Sequence, residues 1–125
     1  ENRIELHADE QLSLYGDSEK LARVFNNILK NAIAYSYSGT DIQVSAEKNE
    51  DKVMIAVSNH GKTIPAHKLE TIFEKFFRLD EARRTNTGGA GLGLAIAKDI
   101  VELHGGSITA ESDHEVTTFR VTLPA

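Results

Sequence analysis

The 125-residue sequence contains no cysteine, and its formal net charge is −5. The missing thiols exclude thiolate zinc sites and a cysteine nucleophile, and they are compatible with a reducing compartment. The acidic balance leaves no overall basic field that could hold nucleic acid or an anionic membrane surface. Any polyanion that binds must therefore be held by local groups.

Long hydrophobic runs are also missing. The apolar stretches Val53 to Val57 and Leu92 to Ala97 are far shorter than the ~20 residues of a membrane-spanning helix. No signal peptide opens the chain, which begins on the strand-like stretch RIEL without an initiator methionine. A chain of this length can bury one core, so we expect a single domain over residues 1–125 that is a piece of a longer protein.

Apolar residues that recur about every 3.6 positions predict two long helices and a shorter third one. The first is expected from about Ser18 to Ser36, with Asp17 placed to cap its N-terminus. The second covers Leu92 to His104 and ends at two glycines, and the short one lies near His67 to Phe73. The apolar face of the first helix consists of Leu21, Val24, Phe25, Ile28, Leu29, Ala32 and Ile33.

Alternating apolar residues predict the strands. Ile4 to His7 and Leu12 to Tyr15 are short candidates, and a hairpin joins Ile42 to Ala46 with Val53 to Val57. A second hairpin is expected around the turn SDHE. Hairpins and helices in this order predict an α+β two-layer sandwich with the helices on one sheet face. The polar stretch Asp80 to Gly89 has no apolar period, and we expect it to be mobile.

The stretch NTGGAGLGLAIAK places four glycines within six positions at the start of the second long helix. A Walker P-loop would need lysine where Leu94 stands, and the spacing of a dinucleotide fingerprint also fails. Gly89, Gly91 and Gly93 instead recur at spacing two before a helix N-terminus, where free N–H groups favour phosphate. A hinge beside a tightly packed helix start is the alternative.

A polar stripe of Asn27, Asn31 and Tyr35 runs at spacing four beside the apolar face of the first helix. Two amide oxygens one turn apart can coordinate a hard cation such as Mg²⁺, which shares its oxygen ligands with substrate phosphates. Neutral amides suffice for this purpose because a triphosphate already carries the negative charge. Solvated polar residues on a helix surface are the alternative.

Four segments resemble, in order, the boxes of the catalytic and ATP-binding domain of bacterial sensor histidine kinases, of the superfamily that includes gyrase, Hsp90 and MutL. They are DSEKLARVFNNILKNAIAYS for the N box, VSNHGKTIP for the first glycine box, IFEKFFR for the F box and TGGAGLGLAIAK for the second glycine box. The stretches EKLARVF, LKNAIAYSYS and FEKFFRLDEAR are similar in particular to sensor kinases of vancomycin resistance.

The resemblance implies a Bergerat-type fold, in which helices cover a mixed sheet and ATP lies between the helices under a lid at residues 79–89. It implies that Asn31 is the main Mg²⁺ ligand, that Asn27 supports the ion or its water, and that Tyr35 packs on the adenine. The ATP-binding residues that it implies are Asn27, Asn31, Tyr35, Asn59, Gly61, Arg78, Gly89, Gly91, Leu92, Gly93, Leu94 and Thr117.

Three positions depart from the family pattern. Asn59 stands where the family has an aspartate that accepts the adenine amino proton, a bond that an amide oxygen forms more weakly. Thr63 replaces the second glycine of the same box, and Ala34 replaces a lysine that is often found before Tyr35. These changes bear on affinity rather than on binding mode. The basic residues that could compensate for the lost lysine are Lys30, Lys75, Arg83 and Arg84.

The resemblance favours a kinase, because superfamily hydrolases carry a glutamate at the position of Asn27. The family's acceptor is a histidine on a separate dimerisation domain, from which phosphate passes to an aspartate of a response regulator. That sequence context is missing at all five histidines of this chain, which are His7, His60, His67, His104 and His114. We therefore expect a fragment that binds Mg-ATP without phosphorylating itself. A hydrolase of the same superfamily and a degenerate interaction module are the alternatives.

The cellular location and the partners are also implied by the resemblance. We expect this chain to be a cytoplasmic domain of a cell-membrane kinase, without direct membrane contact by this domain. The expected partners are ATP, the dimerisation domain that carries the phosphoacceptor and a response regulator, and nucleic acid is not among them.

Overall fold

The computed structural model describes residues 3–8, 18–69, 71–74 and 93–124, which form five strands and three helices. The strands are β1 (Arg3–Ala8), β2 (Asp41–Asn49), β3 (Lys52–His60), β4 (Ser107–Asp113) and β5 (Val116–Pro124). The helices are α1 (Ser18–Tyr35), α2 (Ala66–Leu69) and α3 (Gly93–Leu103). Across these described ranges, no helix combines the length and the apolar character that crossing a membrane requires.

The strands form one mixed sheet in the order β1-β2-β3-β5-β4. β1 pairs with β2 in parallel, and the other neighbours are antiparallel. Both predicted hairpins, β2–β3 and β4–β5, are confirmed. His114 and Glu115 connect β4 to β5 with φ of 50° and 63°, the left-handed pair that a two-residue type I′ turn requires.

The hydrophobic core lies between the sheet and the two long helices. α1 contributes Val24 and Ile28, and α3 contributes Val101, all without solvent exposure or nearly so. Along β5 the buried residues alternate, with Phe119 and Val121 facing the helices. The other sheet face carries polar pairs, such as the ion pair of Arg120 with Glu111. The predicted α+β sandwich with helices on one face is therefore confirmed.

The helix ends differ slightly from the prediction. α1 ends at Tyr35, and α2 covers only Ala66–Leu69, followed by a turn at residues 71–74 in place of the expected longer helix. Two large apolar residues of the long helices are exposed: Ile33, which was predicted on the apolar face of α1, to 46%, and Leu103, the last residue of α3, to 77%. Both lie in the last turn of their helix.

The predicted glycine end of α3 is confirmed. Gly105 has a φ of +78°, and the amides of Gly105 and Gly106 donate to the carbonyls of Glu102 and Val101, both at 3.0 Å. This is the Schellman arrangement, which satisfies carbonyl groups at a helix C-terminus. The predicted strand Leu12 to Tyr15 and the mobile stretch Asp80 to Gly89 lie outside the described residues.

Candidate nucleotide-binding site

The polar stripe of α1 contacts the start of α3. Nδ2 of Asn27 donates a hydrogen bond of 3.1 Å to the carbonyl oxygen of Gly93. This bond fixes the orientation of the half-buried carboxamide, because its nitrogen must face the carbonyl. Oδ1 of Asn27 is then the atom that can accept a further bond or coordinate a cation. The structure thus joins the N box to the second glycine box.

Asn31 and Tyr35 follow Asn27 at intervals of one helical turn, and both are half-buried. The carbonyl of Tyr35 faces the loop after β3. A Cβ built on Gly61 would lie 2.2 Å from that oxygen, so no residue with a side chain could pack there without displacing backbone. Gly61 therefore serves close packing between the first glycine box and the end of α1.

Asn59 and Thr117 form a buried polar pair at the end of the sheet. They lie opposite each other in the β3–β5 register and are 4% and 3% exposed. Within the described ranges, they are the polar residues that are buried to the same extent as the hydrophobic core. Because a buried polar group costs free energy unless it is bonded, this pair indicates a functional or structural role.

A hydroxyl network extends from Thr117 to the first glycine box. Oγ1 of Thr117 lies 2.8 Å from Oγ of Ser112 on β4, and that Oγ accepts the Ile64 amide proton at 2.8 Å. Ser112 was not among the residues predicted for the site. Its position opposite Thr117 follows from the β4–β5 register, which the length of the SDHE turn could have indicated.

Thr63 and Tyr37 hold the same loop from its other side. The Glu115 amide donates to Oγ1 of Thr63 at 2.8 Å, and the Gly61 amide donates to the Glu115 carbonyl at 3.0 Å. The Tyr37 hydroxyl donates to Oε2 of Glu115 at 2.5 Å. This bond, with smaller contributions from desolvation and the carboxylate charge, raises the pKa of Tyr37 above its ordinary value. Thr63 thus has a structural contact that glycine could not make.

The predicted site residues that are described fall into two adjoining groups. Asn27 and Gly93 meet at the α1–α3 contact, whereas Asn59 and Thr117 lie at the end of β3 and β5. Gly61 connects the groups through its approach to Tyr35, and Leu94 is buried in the core. Predicted residues outside the described part are Arg78, Gly89, Gly91 and Leu92, together with the candidate cations Lys75, Arg83 and Arg84.

The amide oxygens of this region suit a metal ion whose coordination is completed by a bound phosphate compound. In the parts of the chain that the structure describes, no three His, Cys, Asp or Glu side chains come together as a metal site. The amides of Asn27 and Asn31 remain as oxygen ligands, and oxygen is what Mg²⁺ prefers. Two neutral oxygens alone would hold the ion weakly, so the fit requires phosphate oxygens to complete its coordination.

Comparison with known proteins adds independent findings. Residues 16–125 match the family model of histidine kinase-, DNA gyrase B- and HSP90-like ATPases. The chain is 59% identical to the sensor protein VanS of Enterococcus faecium over 96% of its length, and 46% identical to VanSC of Enterococcus gallinarum over 86%. The chain spans only 31% and 30% of the length of these relatives.

Solved structures agree with the sequence comparison. The catalytic domain of the histidine kinase ThkA is 30% identical and superimposes with a TM-score of 0.85, covering 98% of this chain and 78% of that one. The mycobacterial sensor histidine kinase MprB is 28% identical with a TM-score of 0.84, covering 98% and 81% of the two chains.

Proposed function

Because the chain belongs to the family of histidine kinase-, DNA gyrase B- and HSP90-like ATPases, we propose that it binds ATP together with Mg²⁺ for a sensor histidine kinase. In this proposal it presents the γ-phosphate to a histidine on a separate dimerisation domain. The phosphate then passes to an aspartate of a response regulator. The similarity to VanS makes a VanR-like regulator of vancomycin resistance the expected recipient.

One observation carries the proposal: a buried polar pair adjoins the oriented amide stripe of α1. Asn59 and Thr117 would receive the base, and Asn31 with the Oδ1 of Asn27 would hold Mg²⁺. The ion would neutralise phosphate charge when bound. The chain's own contribution is positioning, which supplies most of the catalysis in phosphoryl transfer.

The Asn27 contact also supports a kinase rather than a hydrolase. A hydrolase needs a base directed at water, whereas the Asn27 carboxamide is neutral and its nitrogen is engaged by the Gly93 carbonyl. We therefore expect slow ATP hydrolysis, measurable as phosphate release. We also propose that the domain lies on the cytoplasmic side of a membrane protein, as part of a longer kinase.

Calorimetric titration with ATP, in the presence and absence of Mg²⁺, tests the proposal. We expect Mg²⁺ to increase the affinity, and we expect Asn31→Ala to lower the affinity in Mg²⁺ roughly tenfold or more, since it removes a metal ligand. Asn26→Ala is the matched control, because Asn26 is an exposed residue of the same helix outside the stripe. Equally weak binding by the parent and by Asn31→Ala would support an inert interaction module instead.

Incubation with labelled ATP tests the division of labour between domains. We expect no label on this chain alone and label on the dimerisation domain when that domain is added. Label on the isolated chain would contradict the assignment of the acceptor to a separate domain.

A further inference from the structure

The carboxamide of Asn59 is buried but is not committed to one hydrogen-bonding direction. No hydrogen bond joins it to another residue of the described ranges. In those ranges, every side-chain nitrogen or oxygen that is fully buried has a partner, so the unpartnered amide atoms of Asn59 must retain some solvent-accessible surface. An amide held in this way is available to a ligand as either donor or acceptor.

The surroundings of Asn59 permit both orientations. A half-turn about the Cβ–Cγ bond exchanges Oδ1 and Nδ2 without moving the backbone. A Cβ built on Gly61 would lie 3.2 Å from Nδ2 of Asn59, a tight approach that the glycine avoids. Because O and NH2 are nearly the same size, the turned carboxamide needs no more room than the present one, and no side chain at Gly61 crowds it.

The neighbouring hydroxyls are equally reversible. Either Thr117 or Ser112 can be the donor in their 2.8 Å contact, because each hydroxyl can rotate. Ser112 continues to accept the Ile64 amide proton in both cases. The buried polar side chains that the structure describes at this end of the sheet thus include no carboxylate that would dictate one base edge.

We propose that Asn59 makes the base pocket tolerant of the group at the 6-position of a purine. The inference rests on the proposed function, in which Asn59 and Thr117 receive the base and Asn59 stands where the family has the residue that bonds the 6-amino group. For adenine, Oδ1 accepts a proton of the 6-amino group. For hypoxanthine or guanine, Nδ2 donates to the 6-oxo group. The substrate class then extends from ATP to 6-oxopurine nucleoside triphosphates.

Inosine triphosphate is the probe, because it carries a 6-oxo group and lacks the 2-amino group of guanine. Competition calorimetry in Mg²⁺ measures the ratio of the dissociation constants of ITP and ATP, in which the shared triphosphate contributions cancel. We expect a ratio within about tenfold for the parent. For Asn59→Asp we expect the ratio to rise roughly tenfold or more, because a carboxylate cannot donate to the 6-oxo group and repels it.

Asn49→Asp is the matched control. It makes the same chemical change at an exposed position at the far end of the β2–β3 hairpin, so the ratio should remain that of the parent. Tight ATP binding with ITP clearly more than about tenfold weaker in the parent would overturn the inference, as would an unchanged ratio in Asn59→Asp. If neither nucleotide binds, the proposed function itself fails, and the specificity inference falls with it.

Discussion

The two ends of the sheet use the same backbone device for different purposes. At one end, a Cβ on Gly61 would lie 2.2 Å from the Tyr35 carbonyl oxygen, and at the other a Cβ on Gly106 would lie 2.1 Å from that of Thr122. Both glycines let one segment pack closely on the backbone of another. Tight glycine packing therefore does not by itself distinguish a binding site from a structural contact.

A cavity does not distinguish the ends either. The end with Gly106 holds a cleft of about 240 Å³, whose lining consists of Asp51, Lys52, Gly105, Gly106, Ser107, Thr122, Leu123 and Pro124. Much of this lining comes from hairpin and helix-end segments. The end with Gly61 instead has the buried pair Asn59 and Thr117, with hydroxyls that hold the loop in place. Buried polar side chains, rather than the cleft beside Gly106, are the reason that we propose the Gly61 end as the nucleotide-binding end.

The largest expected effects come from substituting the two glycines. Gly61→Ala and Gly106→Ala should each destabilise the fold by about 1–3 kcal/mol, because backbone atoms must move to admit the methyl group. Chemical denaturation measures both changes. Nucleotide titration should then separate the ends, with affinity lowered only in Gly61→Ala. A comparable loss of affinity in Gly106→Ala would contradict the assignment of nucleotide binding to the Gly61 end of the sheet.

A smaller effect is expected where α1 meets α3. Asn27→Asp removes the donor to the Gly93 carbonyl and places a carboxylate near that oxygen, which should destabilise the fold by about 0.5–1.5 kcal/mol. Asn26→Asp, an exposed change of the same kind one residue earlier, should have little effect on stability. Thermal denaturation of both variants gives the comparison, and equal losses would show that the bond at Asn27 contributes nothing specific.

The smallest effect concerns the exposed bond from Tyr37 to Glu115. The pKa of Tyr37 is raised because its hydroxyl donates to the Glu115 carboxylate. The contribution of this bond to the stability of the fold is therefore fully present at pH values below 10.0, the ordinary pKa of tyrosine. It is lost as the pH rises through the raised pKa. Spectrophotometric titration of tyrosinate formation should show a transition at higher pH in the parent than in Glu115→Gln. Coincident curves would contradict this interpretation.

The helices and hairpins were predictable because local periodicity records which face each segment buries. α1 was predicted to within one residue of its end, and both hairpins follow from alternation around polar turns. The differences from the prediction are the shorter α2 and the exposure of Ile33 and Leu103 in the last turns of their helices. Spacing shows the direction of a side chain but not whether anything lies opposite it.

The candidate site was predictable only in part. The stripe that begins at Asn27 could be identified from spacing, and the resemblance supplied Asn59 and Thr117. Neither indicated Ser112, which reaches the site through the register of β4 with β5. Thr63 was treated as a departure from the family pattern, whereas its hydroxyl accepts the Glu115 amide proton. Contacts between distant segments depend on register and turn geometry, which composition and motifs do not encode locally.

The class of fold, the amide stripe on the first helix and the family resemblance could be obtained from the sequence, because each depends on residues close together in the chain or on ordered motifs. The bond from Asn27 to Gly93, 66 positions away, and the buried pair of Asn59 and Thr117 are visible only in the folded molecule. Such contacts arise when the packing of helices on the sheet removes water from groups that are distant in sequence. Their energies therefore depend on the assembled fold rather than on any one segment.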